Sequence, residues 1–214
     1  MSEKTGTEKG TILAKELEKI YPTAFCALEW DGDPWKLLVM GRLSAQCTDA
    51  RVNIVCSDLF RIMPTVNDFA GCDITVLEEM IKPCGLYRTK ADSLKRTAEI
   101  ICEKYGGRIP ETIEELTELP GIGRKIANLI LGDVYHKPGI VADTHCMRIC
   151  GRLGFYPEGQ KDPLKTERIM SAEIPPEYQS DTCHRLVIFG RDICTARNPR
   201  CGQCPLKSIC ERQI

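Results

Sequence analysis

Apolar positions recur every three to four residues along almost the whole chain, the spacing that lines one face of an α-helix. In residues 11–20 the stripe is Ile12, Leu13, Leu17 and Ile20. From Asp49 to Met63 it is Val52, Val55, Cys56, Leu59 and Phe60, stopped by Pro64. Asp73 opens a segment with Ile74, Leu77, Met80 and Ile81 facing inward, and Pro83 closes it. Thr89–Tyr105 ends at Gly106-Gly107, and Ile113–Leu119 is short with an acidic outer face. Gly123–Val134, Asp143–Leu153, Leu164–Ala172 and Tyr178–Arg191 complete the series. No stretch alternates cleanly enough for a strand. The expected fold class is all-α, with helices joined by short Pro/Gly turns. Candidate boundaries fall at His136–Gly139 and Tyr156–Pro163, both rich in turn formers.

At 214 residues the chain can form one large domain or two small ones. Its 29 basic and 30 acidic residues give a net charge of -1, which excludes a protein that holds nucleic acid by bulk charge. A local basic face stays open, because Arg185, Arg191, Arg197, Arg200, Lys207 and Arg212 outnumber the acids near the C-terminus. Glu111, Glu114, Glu115 and Glu118 balance them on a segment expected to face elsewhere. Met1–Gly10 is polar, without the apolar core of a signal peptide. No run approaches the roughly 20 apolar residues of a membrane span. A soluble, cytoplasmic chain with reduced thiols is expected.

The 13 cysteines change the picture. An odd count in a chain of this length argues against a paired disulfide framework. Four of them stand apart in Cys194-x6-Cys201-x2-Cys204-x5-Cys210. Thiolates this close in a reducing compartment are best explained as ligands of one metal centre. Zinc and an iron–sulfur cluster both fit. The long x6 and x5 loops favour the cluster modestly, since structural zinc sites commonly use two close pairs. The other nine cysteines are expected to pack as small hydrophobes.

Leu119-Pro-Gly-Ile-Gly-Arg-Lys125 lies between two helical segments. Pro120 and Gly121 stop the first, and Gly121 and Gly123 open backbone angles closed to other residues. The next helix then begins with outward N–H groups that suit a phosphate, with Arg124 beside them. This is the pattern of a helix–hairpin–helix, which grips a nucleic-acid backbone without reading sequence. Lys125 sits in the first helical turn, where a cation opposes the helix dipole. One reading makes it another phosphate contact, and the other an amine nucleophile for carbonyl carbons such as C1′ of a deoxyribose. Downstream, Asp143 is expected to cap a helix. It can also stabilise a sugar developing oxocarbenium character. His145 alone reads as a surface or packing histidine.

Taken together, these residues resemble the endonuclease III family of helix–hairpin–helix DNA glycosylases, over about Leu37 to Cys210. Three signatures carry the resemblance: Leu119–Lys125, Val141-Ala-Asp-Thr-His145 and the cysteine set. Leu43-Ser-Ala-Gln-Cys-Thr-Asp49 and Gly85-Leu-Tyr87 support it. It implies a bilobed protein with a six-helix lobe, here about 27–137, that carries the hairpin. The other lobe combines 1–26 with 138–214 and holds a [4Fe–4S] cluster on Cys194, Cys201, Cys204 and Cys210. Lys125 matches the nucleophile and Asp143 the essential carboxylate. Gln46 and Leu86 match positions that enter the duplex when the damaged nucleotide leaves it, and His145 one near the disrupted pair. Gly121, Gly123 and Arg124 match phosphate contacts, as do Arg197 and Arg200 on the cysteine loop. Asn198 departs from the basic residue often found there, which weakens that contact. The implied activity is a monomeric glycosylase and abasic-site lyase on double-stranded DNA carrying oxidised pyrimidines. A mismatch or purine glycosylase on the same scaffold, and a non-catalytic DNA-binding module, are the competing readings.

Overall fold

The computed structural model describes residues 6–212, so Met1–Thr5 of the polar start and the last two residues lie outside it. The described residues hold eleven α-helices and no strand. They form two compact units: one spans Cys26–Tyr135, the other takes the chain up to Phe25 and from His136 onward. Each has its own apolar core.

The unit Cys26–Tyr135 contains α2 (Pro34–Leu43), α3 (Asp49–Ile62), α4 (Val66–Gly71), α5 (Ile74–Ile81), α6 (Tyr87–Tyr105), α7 (Ile113–Glu118) and α8 (Arg124–Asp133). The sequence pattern did not reveal α2, and the structure shows why. Trp35, Leu37, Leu38, Val39, Met40 and Leu43 are all buried, so the helix has too little polar face to show a stripe. Its start was nonetheless encoded, in the Asp33 cap followed by Pro34. The short α4 was also unanticipated, although Thr65 and Asp68 form a reciprocal capping box. Its Phe69 is fully buried and meets Trp35 edge to face at 5.1 Å.

The second unit contains α1 (Glu8–Ile20), α9 (Thr144–Arg152), α10 (Pro163–Glu173) and α11 (Gln179–Asp192), followed by two 3-10 turns in the cysteine segment. Leu13 and Leu17 of α1 pack with Ile149, Met170, Leu186 and Phe189. Gly10 is required here, because a Cβ would lie 1.9 Å from the Glu173 carbonyl oxygen. Among the described residues, no helix is long and apolar enough to cross a membrane.

Candidate functional site

The hairpin between α7 and α8 turns at Gly121, whose φ of +75° favours glycine. A Cβ there would meet Arg42 Nε at 2.5 Å and Ser93 at 3.0 Å. Gly123 is different and corrects the expectation of a special backbone angle. Its φ of −94° and ψ of 174° are ordinary extended backbone, and a Cβ would meet nothing within 4 Å. What glycine provides at this N-cap is the absence of a side chain. No side chain caps α8, whereas α2, α3, α4, α5 and α7 of the same unit are all capped by Asp or Thr. The start of α8 thus presents backbone without a side-chain cap, an arrangement that suits an external acceptor. Arg124 and Lys125 are both exposed in this first turn.

A buried polar stripe on α6 supports the hairpin and was not found in the sequence. Lys90 and Thr97 are fully buried and Ser93 nearly so. The Thr97 hydroxyl donates to the Pro120 carbonyl at 3.1 Å. Ser93 Oγ accepts from Arg42 Nε at 2.9 Å and donates to the Lys90 carbonyl at 2.9 Å. The Lys90 ammonium donates to the carbonyls of Leu43 at 2.8 Å and Cys84 at 2.9 Å. The available signal was a set of polar residues at helical spacing among Ala91, Leu94, Ala98 and Ile101, on the face that packs inward.

Two exposed loops follow the carbonyls that Lys90 holds. Gln46 lies between α2 and α3 with φ of 56°, and Leu86 precedes α6 with φ of 50°. Left-handed backbone is costly for such residues, about 1–3 kcal/mol each, and clusters at functional sites. Leu86 is also 57% exposed, which removes a packing explanation. Sequence matching singled out both residues, but not their shared backbone strain.

In the other unit, Asp143 caps α9, with Oδ1 accepting from the Cys146 N–H at 2.7 Å. His145 is half-buried beside Gly190 of α11, where a Cβ would come 2.4 Å from His145 Nδ1. Arg148 Nη2 lies 3.2 Å from His145 Nδ1 and donates to the carbonyls of Gly190 and Cys194, each at 3.1 Å. One turn on, the buried Arg152 donates to Thr195 O at 2.7 Å and Ala196 O at 2.8 Å. Thus α9 carries Asp143 at its start and grips the Cys194–Cys201 loop near its end.

The four C-terminal cysteines line a cavity with about 380 Å³ of empty space, part of it open to solvent, walled by Ile149, Leu153, Phe189 and Ile193. Arg152 Nη1 reaches Cys194 Sγ at 3.4 Å. Burial pushes the Cys204 thiol up, and charge on Cys194, Cys210 and Cys201 adds to the shift. Four thiol donors on one apolar-walled cavity fit the ligand set of an iron–sulfur cluster. Arg197 and Arg200 are exposed on this loop, Arg200 pairing with Asp192 at 3.3 Å.

Comparison with known proteins adds the family. Residues 39–176 match the HhH-GPD superfamily of base excision DNA repair proteins. Endonuclease III of Bacillus subtilis (strain 168) is 41% identical over 197 residues, covering 91% of this chain and 89% of that protein. The chain belongs to the endonuclease III family. Residues 194–210 match the iron–sulfur binding domain of endonuclease III, which supports the expected [4Fe–4S] cluster over zinc. Among solved structures, a non-covalent endonuclease III–DNA complex matches with a TM-score of 0.86 and 39% identity, covering 92% of each chain. A trapped endonuclease III–DNA covalent intermediate gives the same score and identity over 93% of this chain and 92% of that one.

Within this endonuclease III framework, one expectation from composition needs correction. Arg185 and Arg212 of the basic C-terminal segment are engaged within the protein and are not part of a free cationic face. Arg185 is 3% exposed, donates to the Tyr21 carbonyl and pairs with Asp181 and Glu18. Arg212 pairs with Glu158 at 3.1 Å. The nine other cysteines pack as expected: Cys56, Cys84, Cys146, Cys150 and Cys183 are buried, and Cys26, Cys47, Cys72 and Cys102 are partly buried against the core of Cys26–Tyr135.

Proposed function

We propose that this chain is a bifunctional DNA glycosylase and abasic-site lyase of base excision repair that removes oxidised pyrimidines from double-stranded DNA. The observation that carries the proposal is the exposed Lys125 amine in the first turn of α8, beside uncapped amides, in a chain closely similar to endonuclease III. A non-catalytic module needs the open amides but no amine next to them.

The damaged base is out of reach inside the duplex stack, so the nucleotide is extruded at a cost of a few kcal/mol. Gln46 and Leu86 fill the space it leaves. The hairpin amides and Arg124 hold phosphate, and Arg197 and Arg200 add contacts from the cysteine loop. His145 lies near the disrupted pair. The Lys125 amine forms a bond to C1′ as the bond to the base breaks and the base takes the electron pair. Asp143 offsets positive charge on the sugar. Loss of a proton and ring opening give a Schiff base between Lys125 and C1′. The adjacent C2′ proton is then acidic. Its removal expels the 3′ phosphate by β-elimination, and water releases the lysine. Cys194, Cys201, Cys204 and Cys210 would hold the cluster, whose chemistry here is to order the loop they bound.

The direct test is borohydride reduction of the protein mixed with abasic-site duplex. A stable covalent complex is expected, and its absence would overturn the assignment. Two further results are expected from the geometry. Gly121→Ala places a Cβ against Arg42 and Ser93 at a positive φ, so thermal unfolding should show a loss of about 1–3 kcal/mol together with weaker DNA binding. Gly123→Ser supplies the missing cap, so stability should hold or rise by a few tenths of a kcal/mol while affinity for abasic duplex falls. Unchanged affinity in Gly123→Ser would remove the phosphate role of these amides. Duplex affinity should also fall steeply with salt, because phosphate contacts release counterions. A flat plot of log affinity against log salt would contradict it.

A further inference from the structure

Lys90 is a buried cation whose ammonium the Lys125 chemistry does not use. It has no exposed surface, and it forms no ion pair among the described residues. Its two hydrogen bonds go to main-chain carbonyls from separate elements, Leu43 at the end of α2 and Cys84 in the 3-10 turn Lys82–Cys84. Carbonyls at helix ends carry partial negative charge and lack in-helix donors, so they can hold an ammonium without a carboxylate. The placement is specific. Leu43 lies three residues before Gln46, and Cys84 two residues before Leu86, and both of these loop residues are exposed with left-handed backbone. The Lys90 carbonyl then accepts from Ser93, which accepts from Arg42 and which a Cβ on Gly121 would crowd.

We propose that Lys90 is a positioning residue for lesion extrusion, clamping the Gln46 and Leu86 loops to one another so that they enter the duplex as one rigid wedge. This rests on the reading of Gln46 and Leu86 as the residues that fill the vacated space. A loop held only at its own ends would order separately on the DNA and lose conformational entropy at that moment. One ammonium bonded to both loop bases fixes their relative position beforehand. An apolar side chain of similar length would fill the volume and leave both carbonyls unsatisfied, with the two loops uncoupled.

The test is a double-mutant cycle in the full-length holoprotein. Lys90→Met should lower single-turnover base excision from an oxidised-pyrimidine duplex by about tenfold or more. Borohydride trapping on an abasic site in single-stranded DNA, where no duplex is opened, should stay within about twofold. In a Gln46→Ala/Leu86→Ala background, adding Lys90→Met should change excision by less than about twofold, because the loops it couples have lost their tips. Equal losses in both assays, or a full additional loss in that background, would assign Lys90 a general structural role and overturn the proposal. Should Lys90→Met fail to fold, Lys90→Gln replaces it in the same cycle, with a smaller loss in the same pattern. If Gln46→Ala/Leu86→Ala alone excises as fast as wild type, the wedge reading fails. If that variant is slow while Lys90→Met is unimpaired, the wedge reading stands and the coupling fails.

Discussion

Lys125→Ala is expected to separate stability from activity in opposite directions. Covalent trapping on abasic DNA should fall about a thousandfold or more, equivalent to ~4 kcal/mol of lost transition-state stabilisation. The melting temperature should hold or rise slightly. Lys125 is exposed in the first turn of α8, where a positive charge opposes the helix dipole. Removing such a charge gains about 0.3–1 kcal/mol, and alanine is the best helix former. A residue kept for stability would show the reverse. Abasic-duplex binding should fall only a few fold, since the α8 amides and Arg124 remain. Gel resolution of the borohydride-reduced complex measures the first effect and thermal unfolding the second. If Lys125→Ala traps as well as wild type, the nucleophile lies elsewhere.

The parts of this site that were legible in the sequence are those whose chemistry depends on residues close together in the chain. Pro120, Gly121, Gly123 and Lys125 fall within six residues, and the four C-terminal cysteines within seventeen. Spacing therefore nearly determines geometry. The all-α class was equally open, because amphipathic helices such as α3 and α5 bury one face. Helix α2 escaped notice for the opposite reason: with Trp35, Leu37–Gly41 and Leu43 buried, it has too little polar face to set a period. The α6 stripe escaped because Lys90, Ser93 and Thr97 read as solvent-facing residues. Only the fold brings Leu43, Cys84 and Pro120 to them, and these lie up to 47 positions away. Charge misled similarly. Arg185 looked available for DNA, but its partner Glu18 lies on α1 at the other end of the chain. Gly123 was recognised correctly as special, though for the wrong reason: an open cap explains it, and backbone strain does not.

Asp143 presents the sharpest ambiguity, and a pair of variants resolves it. The carboxylate caps α9 through the Cys146 N–H, a role sufficient by itself to explain an aspartate at this position. Asparagine offers the same Oδ1 acceptor and caps equally well, so Asp143→Asn should unfold within about 0.5 kcal/mol of wild type. Alanine removes the acceptor and should cost about 0.5–2 kcal/mol. The cost should also reach the cysteine loop, since Arg148 and Arg152 of the same helix hold the carbonyls of Cys194, Thr195 and Ala196. Weaker retention of the cluster's visible absorption on heating would register that in Asp143→Ala alone. Catalysis should not follow this ranking. Charge stabilisation of the sugar needs an anion, which neither variant supplies. Single-turnover excision should therefore fall by about 10²–10⁴ in both, with Asp143→Asn as impaired as Asp143→Ala despite its intact cap. Activity tracking stability, with Asn near wild type and Ala impaired, would leave Asp143 as a cap and nothing more. The sugar's positive charge would then have to be met by another group.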